Sequence, residues 1–385
     1  MKKKKKNYRK LLKILLLLLN VSVGVPFLFA FFAQAVSPSA IGIFAFCGLA
    51  FPYLLYANIA LMILWFFVDY RYSLISILLI LVNLNNIDRH FQFKGTEVPE
   101  PCVNCVKVMS YNARLFNVYN ESDEELGKGK QKIFDFLAEE KPDIVCFQEY
   151  FYENSDKIDF PTTDTILSIL GLEHSEKYFY QYFPQNLRQE YFFGLAIFSR
   201  YRIVNAGYVQ MPDSSANSVI FADIRFKGDT IRIYDVHLAS LHLDNADYEA
   251  GKKMVQGLDD PDREQNVRQI YKKVKTGFEV RTMQVKALRA HRDTCPYPIV
   301  LCGDFNDSPA SYSYNKLATG LNDSFRKSGQ KMGTTYNGDV FPAYRIDYIL
   351  YDPQYRAYQH TIATQLGVSD HFPIYTYISL QKNKY

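Results

Sequence analysis

PIVLCGDFNDSP, residues 298–309, runs a short apolar stretch into a glycine and then sets out Asp304, Asn306 and Asp307 within four positions. The apolar part has the length and composition of a buried strand. The residues after it are common turn formers. In an extended chain residues i and i+2 share a face, so Asp304 and Asn306 aim at one point while Phe305 packs the other way. A carboxylate that takes a proton, beside an amide that both donates and accepts, suits holding a water against an electrophile. A plain turn would use the same residue types, so the other strands must decide between turn and site.

Those strands are short runs rich in Val, Ile, Phe and Tyr: VKVMSYN (106–112), DIVCFQEY (143–150), GLAIFSR (194–200), IRIYDVHLAS (231–240), RIDYILYD (345–352) and FPIYTYISL (372–380). Helical spacing lies between them. KQKIFDFLAEEKP places Ile133, Phe136 and Leu137 on one face, and the stretch ending in RAHRD places Phe278, Met283, Val285 and Leu288 on another. The mixture indicates a sheet-containing α/β or α+β domain without internal repeats. The strand ends carry the information. Asn112 closes the first, Glu149 the second, and His237 lies near the end of the fourth. Asp304 and Asn306 close the fifth, Asp347 opens the sixth, and Asp370 and His371 precede the seventh. One such residue is a turn or cap; a polar group at nearly every core strand end is the pattern of a site assembled from strand ends and loops.

The first ninety residues differ in kind. A basic cluster, Lys2 to Lys6, precedes the uncharged stretch Ile14–Ala35, and Ile41–Val68 is again without charge. Each is long enough to cross a bilayer as a helix, and two such runs argue against a cleaved signal peptide. A third, shorter run reads as a further span over 72–88. Expected boundaries are an anchor over 1–93 with two or three spans near 14–35, 41–68 and 72–88, a linker over 94–103, and a soluble domain over 104–385. With the lysines cytoplasmic, three spans place that domain outside the cytoplasm, the favoured reading, whereas two would leave it inside. Trp65 fits either an interfacial belt or a core position.

Charge follows the same division. Residues 1–93 hold ten Lys/Arg and two acids, which leaves residues 94–385 with 34 basic and 38 acidic residues, a net of −4. That balance argues against binding a polyanion through bulk charge. Cys146 and Cys302 sit in apolar runs as small buried hydrophobes. Cys102 and Cys105 lack the partners of a zinc site and suit a disulfide in an oxidising compartment. The polar stretch 240–277 reads as a solvated helical arm, or as a substrate- or membrane-facing arm using Lys252, Lys253, Lys272, Lys273 and Lys275. His242 and His291 read as surface residues.

SYNAR, FQEY, HL, GDFND, RIDYIL and SDHFPI, in this order, resemble the endonuclease/exonuclease/phosphatase superfamily, and the resemblance covers about residues 104–382. It implies an α/β fold in which two mixed β-sheets pack face to face with flanking helices, a four-layer sandwich. It also implies hydrolysis of a phosphoester by an activated water with Mg²⁺, or Mn²⁺ in its place. By motif, Glu149 would ligate the metal with Asn112, and Asp370 would lie at its edge. Asp304 would orient and deprotonate the water, and Asn306 would hold phosphate or metal. His371 would stabilise phosphoryl charge with Asp347 fixing its tautomer, and His237 would sit on the phosphate. Arg114 departs from the pattern, because some nucleases place an acid there, and it reads as a phosphate contact. The donor set agrees with the chemistry, since Mg²⁺ prefers one or two carboxylates and other hard oxygens.

The expected function is a membrane-anchored phosphodiesterase or phosphatase acting on a lipid head group or a soluble phosphoester. Cleavage of DNA or RNA is the alternative in the same class. A non-catalytic membrane-bound module that keeps the fold is the alternative of another class, and a transporter built on the helices finds no intramembrane charge to use. The bilayer is the expected partner of the helices, and no obligate protein partner is evident.

Overall fold

The structure, a computed structural model, describes residues 2–381 apart from residues 103, 173, 242 and 244 and the segments 118–122, 154–161, 183–190, 213–217, 258–260 and 339–343. The chain forms two compact units. One comprises Met1–His90 and Asp307–Asn315; the other comprises Phe91–Asn306 and Lys316–Tyr385.

The first unit holds α1 (Lys2–Ala33), α2 (Gly42–Leu49), α3 (Phe51–Asp69), α4 (Ser73–Val82) and α5 (Leu84–His90). Lys10–Ala33 and Phe51–Val82 are long and apolar enough to cross a membrane. Four polar contacts tie α1 to later residues. Lys13 Nζ pairs with Asp69 Oδ2 at 2.6 Å, and Asn20 Nδ2 donates to Ser76 Oγ at 3.2 Å. Asn83 Nδ2 donates to Phe27 O at 3.2 Å, and Asn86 Nδ2 to Ala30 O at 3.4 Å. Every pair is separated by 56 positions. A constant offset means that α4 and α5 run parallel to α1, which brings His90 to the end of α1 opposite the lysines. The third apolar run is covered by α4 and α5, Ser73–Val82 and Leu84–His90, with Asn83 between them. Trp65 is fully buried with its ring 4.7 Å from that of Tyr72, so it is a core residue of this unit.

The second unit carries short β1 (Phe91–Gln92), β2 (Cys105–Asn112), α6 (Asp123–Glu140), β3 (Ile144–Glu153), α7 (Thr162–Leu170), β4 (His174–Tyr182), β5 (Tyr191–Ser199), β6 (Ile203–Tyr208), β7 (Val219–Phe226) and β8 (Asp229–His237). Then follow α8 (Asn245–Gln256), α9 (Arg263–Asp293), β9 (Ile299–Asp304), β10 (Asn322–Asp323), α11 (Ser324–Ser328) and β11 (Lys331–Met332), with α10 (Tyr312–Ala318) beginning in the first unit. Finally come β12 (Asp347–Tyr351), β13 (Arg356–Ile362) and β14 (Ile374–Ser379). Two mixed six-stranded sheets result, ordered β10-β12-β9-β8-β7-β6 and β13-β14-β2-β3-β5-β4. Each strand follows the period-2 rule. Val106 and Val108 of β2 join Ile144, Cys146, Ile233, Val300, Cys302 and Ile349 in the core between the sheets, whereas Met109 and Tyr111 turn outward against Ile133 and Leu137 of α6. On α9, Phe278, Val285 and Leu288 are buried as expected, but Met283 is exposed because it falls on the solvent side of that stripe. Cys102 and Cys105 are joined in a disulfide.

Candidate active site

Strand register assembles the centre. β8 and β9 run parallel with His237 opposite Asp304; β9 and β12 run antiparallel with Asp304 opposite Asp347. Directly opposed residues project from the same face, so His237, Asp304 and Asp347 stand in one row across three strands. Gly303, just before Asp304, lies at φ 138°, and a Cβ there would sit 2.0 Å from the Val236 carbonyl oxygen. Only glycine lets β9 approach β8 this closely. Asn306 adopts φ 52°, a left-handed turn that asparagine tolerates. The other sheet supplies Asn112 from the end of β2 and Glu149 from within β3. Glu149 sits at φ 47°, where the β3–β5 register shifts between Phe147 and Tyr150. A bulge at this point re-aims the side chain, and the positive φ of a glutamate is strain of the kind kept at functional positions.

Asp304 is the hub. It is 1% exposed and accepts from Asn306 N at 2.8 Å, from Asn306 Nδ2 at 3.1 Å and from Asn112 Nδ2 at 3.2 Å. His371 Nε2 lies 3.7 Å and His237 Nε2 3.8 Å from Asp304 Oδ2, just beyond hydrogen-bond reach. His371 Nδ1 contacts both Asp347 oxygens at 3.1 and 3.2 Å, which leaves Nε2 facing Asp304. Burial raises the Asp304 carboxyl above its ordinary range and the Asp347 charge adds to this, against the pull of His371 and the two asparagines. Burial opposes charge on His371, yet Asp347 and Asp304 outweigh it and raise the imidazole well above its usual value. Burial likewise raises Glu149, with His371 opposing and Asp370 reinforcing.

The structure brings together Asn112, Glu149, His237, Asp304, Asn306, Asp347 and His371. Asp370 lies at the margin with Arg114 Nε 3.9 Å from its Oδ1. Two residues to which the sequence reading gave no role also serve the centre. Ser369 Oγ donates to Asn112 O at 2.9 Å and accepts from His371 N at 3.1 Å, tying the SDH loop to β2. Thr335 Oγ1 accepts from the Asp347 and Ile346 amides at 3.1 and 3.0 Å. Beside the centre a cavity of about 480 Å³ is lined by Arg114, Tyr248, Lys252, Tyr336, Ser369 and Asp370, among others. Tyr336 packs edge-on against His371 at 5.1 Å. Tyr248 and Lys252 belong to α8, so part of the polar insert walls this cavity, while Lys273 pairs with Asp247 instead. His291 is half-buried: its Nδ1 is 3.0 Å from Tyr234 Oη and its ring packs on Phe221. His242 lies outside the described residues.

The donors suit a hard cation. Glu149 has a single long hydrogen bond, from Asn112 Nδ2 at 3.4 Å, and no ion pair with Lys or Arg among the described residues. A raised carboxylate so poorly compensated fits an oxygen ligand for a divalent ion, with Asn112 and Asp370 beside it. Asp304, Asp347 and His371 also place ligand-capable atoms within 4.8 Å of one another. There, however, both Asp347 oxygens are engaged by the imidazole, which marks that trio for proton handling.

The family model described as Endonuclease/Exonuclease/phosphatase family matches residues 109–371, and one described as Domain of unknown function (DUF8431) matches residues 11–90. No curated protein matches the chain in sequence. Among solved structures, the chain resembles an endonuclease/exonuclease/phosphatase from Beutenbergia cavernae DSM 12333 at 17% identity and TM-score 0.51, over 72% of each chain. The human Nocturnin catalytic domain with bound sulfate anion is similar at 17% identity and TM-score 0.46, over 72% of this chain and 93% of that one. A 3′ phosphatase from Neisseria bound to product DNA hairpin is similar at 20% identity and TM-score 0.43, over 72% and 99%. With a family match that spans most of the chain and a two-sheet fold that carries the family's motifs at its strand ends, this protein belongs to the endonuclease/exonuclease/phosphatase family of hydrolases.

Proposed function

We propose that the protein is a membrane-anchored, metal-dependent hydrolase that cleaves a phosphoester by attack of water. The observation that carries this reading is Asp304, buried at the meeting point of Asn306, Asn112, His371 and His237. Its raised proton affinity suits a base that takes the proton of the attacking water. Asn306 and Asn112 hold that carboxylate in orientation. His371, kept charged by Asp347 through Nδ1, offers Nε2–H to a phosphoryl oxygen in the transition state, where preorganised charge counts most. His237 and Arg114 add donors for the remaining oxygens. Glu149, Asn112 and Asp370 would hold Mg²⁺, with Mn²⁺ as the alternative. When bound, such a cation polarises the phosphoryl group and makes water more acidic.

The 480 Å³ cavity beside His371 would receive the leaving group. The acidic balance of residues 94–385 favours a lipid head group or a soluble phosphoester over nucleic acid. The parallel course of α1 and α4–α5 supports an extracytoplasmic domain: with Lys2–Lys6 in the cytoplasm, the chain leaves the helices at the opposite end. The Cys102–Cys105 disulfide supports the same side.

The test is turnover of a generic phosphodiester and a generic phosphomonoester by the full chain in detergent, with Mg²⁺ or chelator, beside Asp304→Asn. Cation-dependent turnover that collapses in the variant supports the reading, and the preferred ester separates phosphodiesterase from phosphatase. Rapid cleavage of DNA or RNA with steep salt dependence would assign a nuclease instead. Absence of turnover by folded protein on every ester would leave a binding module.

A further inference from the structure

The helical unit is discontinuous: it includes Asp307–Asn315, the direct continuation of the Asp304–Asn306 turn. Specific contacts build that segment into the helices. Arg89, in the last turn of α5 and 5% exposed, donates from Nη1 to Pro309 O at 3.1 Å and from Nη2 to Asn315 Oδ1 at 2.7 Å. Its guanidinium lies 5.1 Å over the Tyr314 ring. Asn315 Nδ2 donates to Gln34 O at 3.0 Å, just past the end of α1, and Ser308 Oγ donates to Gly48 O at 3.3 Å. Gly48 leaves no room for more: a Cβ there would lie 2.7 Å from Ala33 Cβ and 3.2 Å from Ala310 O. A forked guanidinium holding two acceptors and stacked on a ring is a geometry that a lysine ammonium does not reproduce.

Pro309 is three positions from Asn306. Between them lie only Asp307, whose Oδ1 accepts from Ser308 N at 3.0 Å, and Ser308, which the helices hold through its hydroxyl. Little torsional freedom separates the clamp from the residues that orient the proposed water. We propose that Arg89 is a positioning residue for the hydrolytic centre. By holding Asp307–Asn315 within the helical unit it limits, through the chain itself, the freedom of the Asp304–Asn306 turn that directly precedes this segment.

Two readouts on the full chain in detergent test this, and only the kinetic one rests on the function proposed above. The first is amide hydrogen exchange in Arg89→Met, which keeps the side-chain length and removes the donors. Faster exchange is expected in 307–315 and also in 303–306, with a partial return in Arg89→Lys. Asp69→Asn, which breaks the pair with Lys13 elsewhere in the helices, should change neither segment. Exchange that rises in 307–315 alone overturns the proposal, because the clamp then does not reach the catalytic turn. The second readout is turnover of a generic phosphodiester. A displacement of about 1 Å at reacting groups costs on the order of 10²-fold, so kcat should fall by 10- to 100-fold in Arg89→Met with KM within about threefold, and Arg89→Lys should recover part of it. A kcat within twofold of wild type in folded Arg89→Met overturns the proposal. Should Arg89→Met fail to fold, Asn315→Leu removes one acceptor of the same clamp and carries the same expectations. If the wild-type chain turns over no ester, the exchange result alone decides the positioning role while the proposed function fails separately.

Discussion

Replacing Gly303 by alanine tests the architecture of the centre with one methyl group. At φ 138° the backbone lies where an L-residue is strained by about 1–3 kcal/mol. The added Cβ would meet the Val236 oxygen at 2.0 Å and the Val236 nitrogen at 2.7 Å. Both are main-chain atoms of the neighbouring strand, so no rotamer change relieves the overlap. Ordinary contact needs β8 and β9 to part by about 1 Å, which weakens ladder bonds on both sides of the Val236–Gly303 pair. Strain and lost pairing together predict a destabilisation of about 3–5 kcal/mol. The next pair along the ladder is His237 with Asp304, and a separation of that size should lower kcat by about 10²-fold. Chemical denaturation of the full chain gives the first quantity, and steady-state kinetics on folded protein the second. Gly303→Ala with stability within 0.5 kcal/mol and kcat within twofold of wild type would refute the close-approach reasoning.

Asp347→Asn removes the carboxylate that holds both protonation and tautomer of His371; kcat should fall roughly 10²- to 10⁴-fold, with the enzyme still folded by circular dichroism. Tyr248→Ala opens the cavity wall beside the centre and should raise KM about tenfold for an ester with a bulky leaving group while sparing one with a small leaving group; equal effects on both would remove the cavity from recognition. Burial drives His360 down to about 3 despite the nearby Asp323 charge, and Ser324 Oγ meets its Nδ1 at 2.8 Å. The unfolded chain therefore binds the extra proton between its ordinary pKa near 6.5 and about 3, so this residue's contribution is complete above that upper limit and declines as pH falls; about 2 kcal/mol is lost by pH 5. His360→Gln should flatten the urea midpoint between pH 7 and 5, and an unchanged slope would contradict the assignment. Arg345→Met leaves Asp323 buried without its 2.8 Å partner and should cost about 3–5 kcal/mol, read as a lowered denaturation midpoint.

The row of His237, Asp304 and Asp347 was legible because strand periodicity converts sequence position into direction: the 231–240, 298–306 and 345–352 runs are the strands that register sets side by side. β6, β7, β4 and β13 escaped notice for opposite reasons. β7 carries Asp223 inside an apolar run, which is tolerated only because Arg232 of β8 pairs with it at 2.6 Å, a partner visible after folding. β13 alternates too weakly at the sheet edge to stand out. Thr335 and Ser369 serve through single hydroxyls aimed at backbone groups, and nothing local distinguishes them from turn residues. His291 looked like a surface residue because its partners, Tyr234 and Phe221, come from distant strands. The helical runs announced themselves by length, but their parallel register did not, since it depends on asparagine amides finding carbonyls 56 positions away.

That the helical unit draws in Asp307–Asn315 also bears on how the protein is made. Its first ninety residues leave the ribosome early, while their last partner follows more than two hundred residues later. At synthesis rates of roughly 5–20 residues per second, the seat formed by Arg89, Gln34 and Gly48 waits on the order of 10–45 s for its occupant. Eight of the twelve strands of the two large sheets are translated by the end of that interval, and β10, β12, β13 and β14 remain. The pairing of β8 with β9 can therefore precede the docking of the segment beyond Asn306. A premature stop or a slow codon cluster between residues 90 and 307 would leave the helices with the Arg89 guanidinium deprived of its Pro309 and Asn315 acceptors, a species that quality-control proteases should clear quickly.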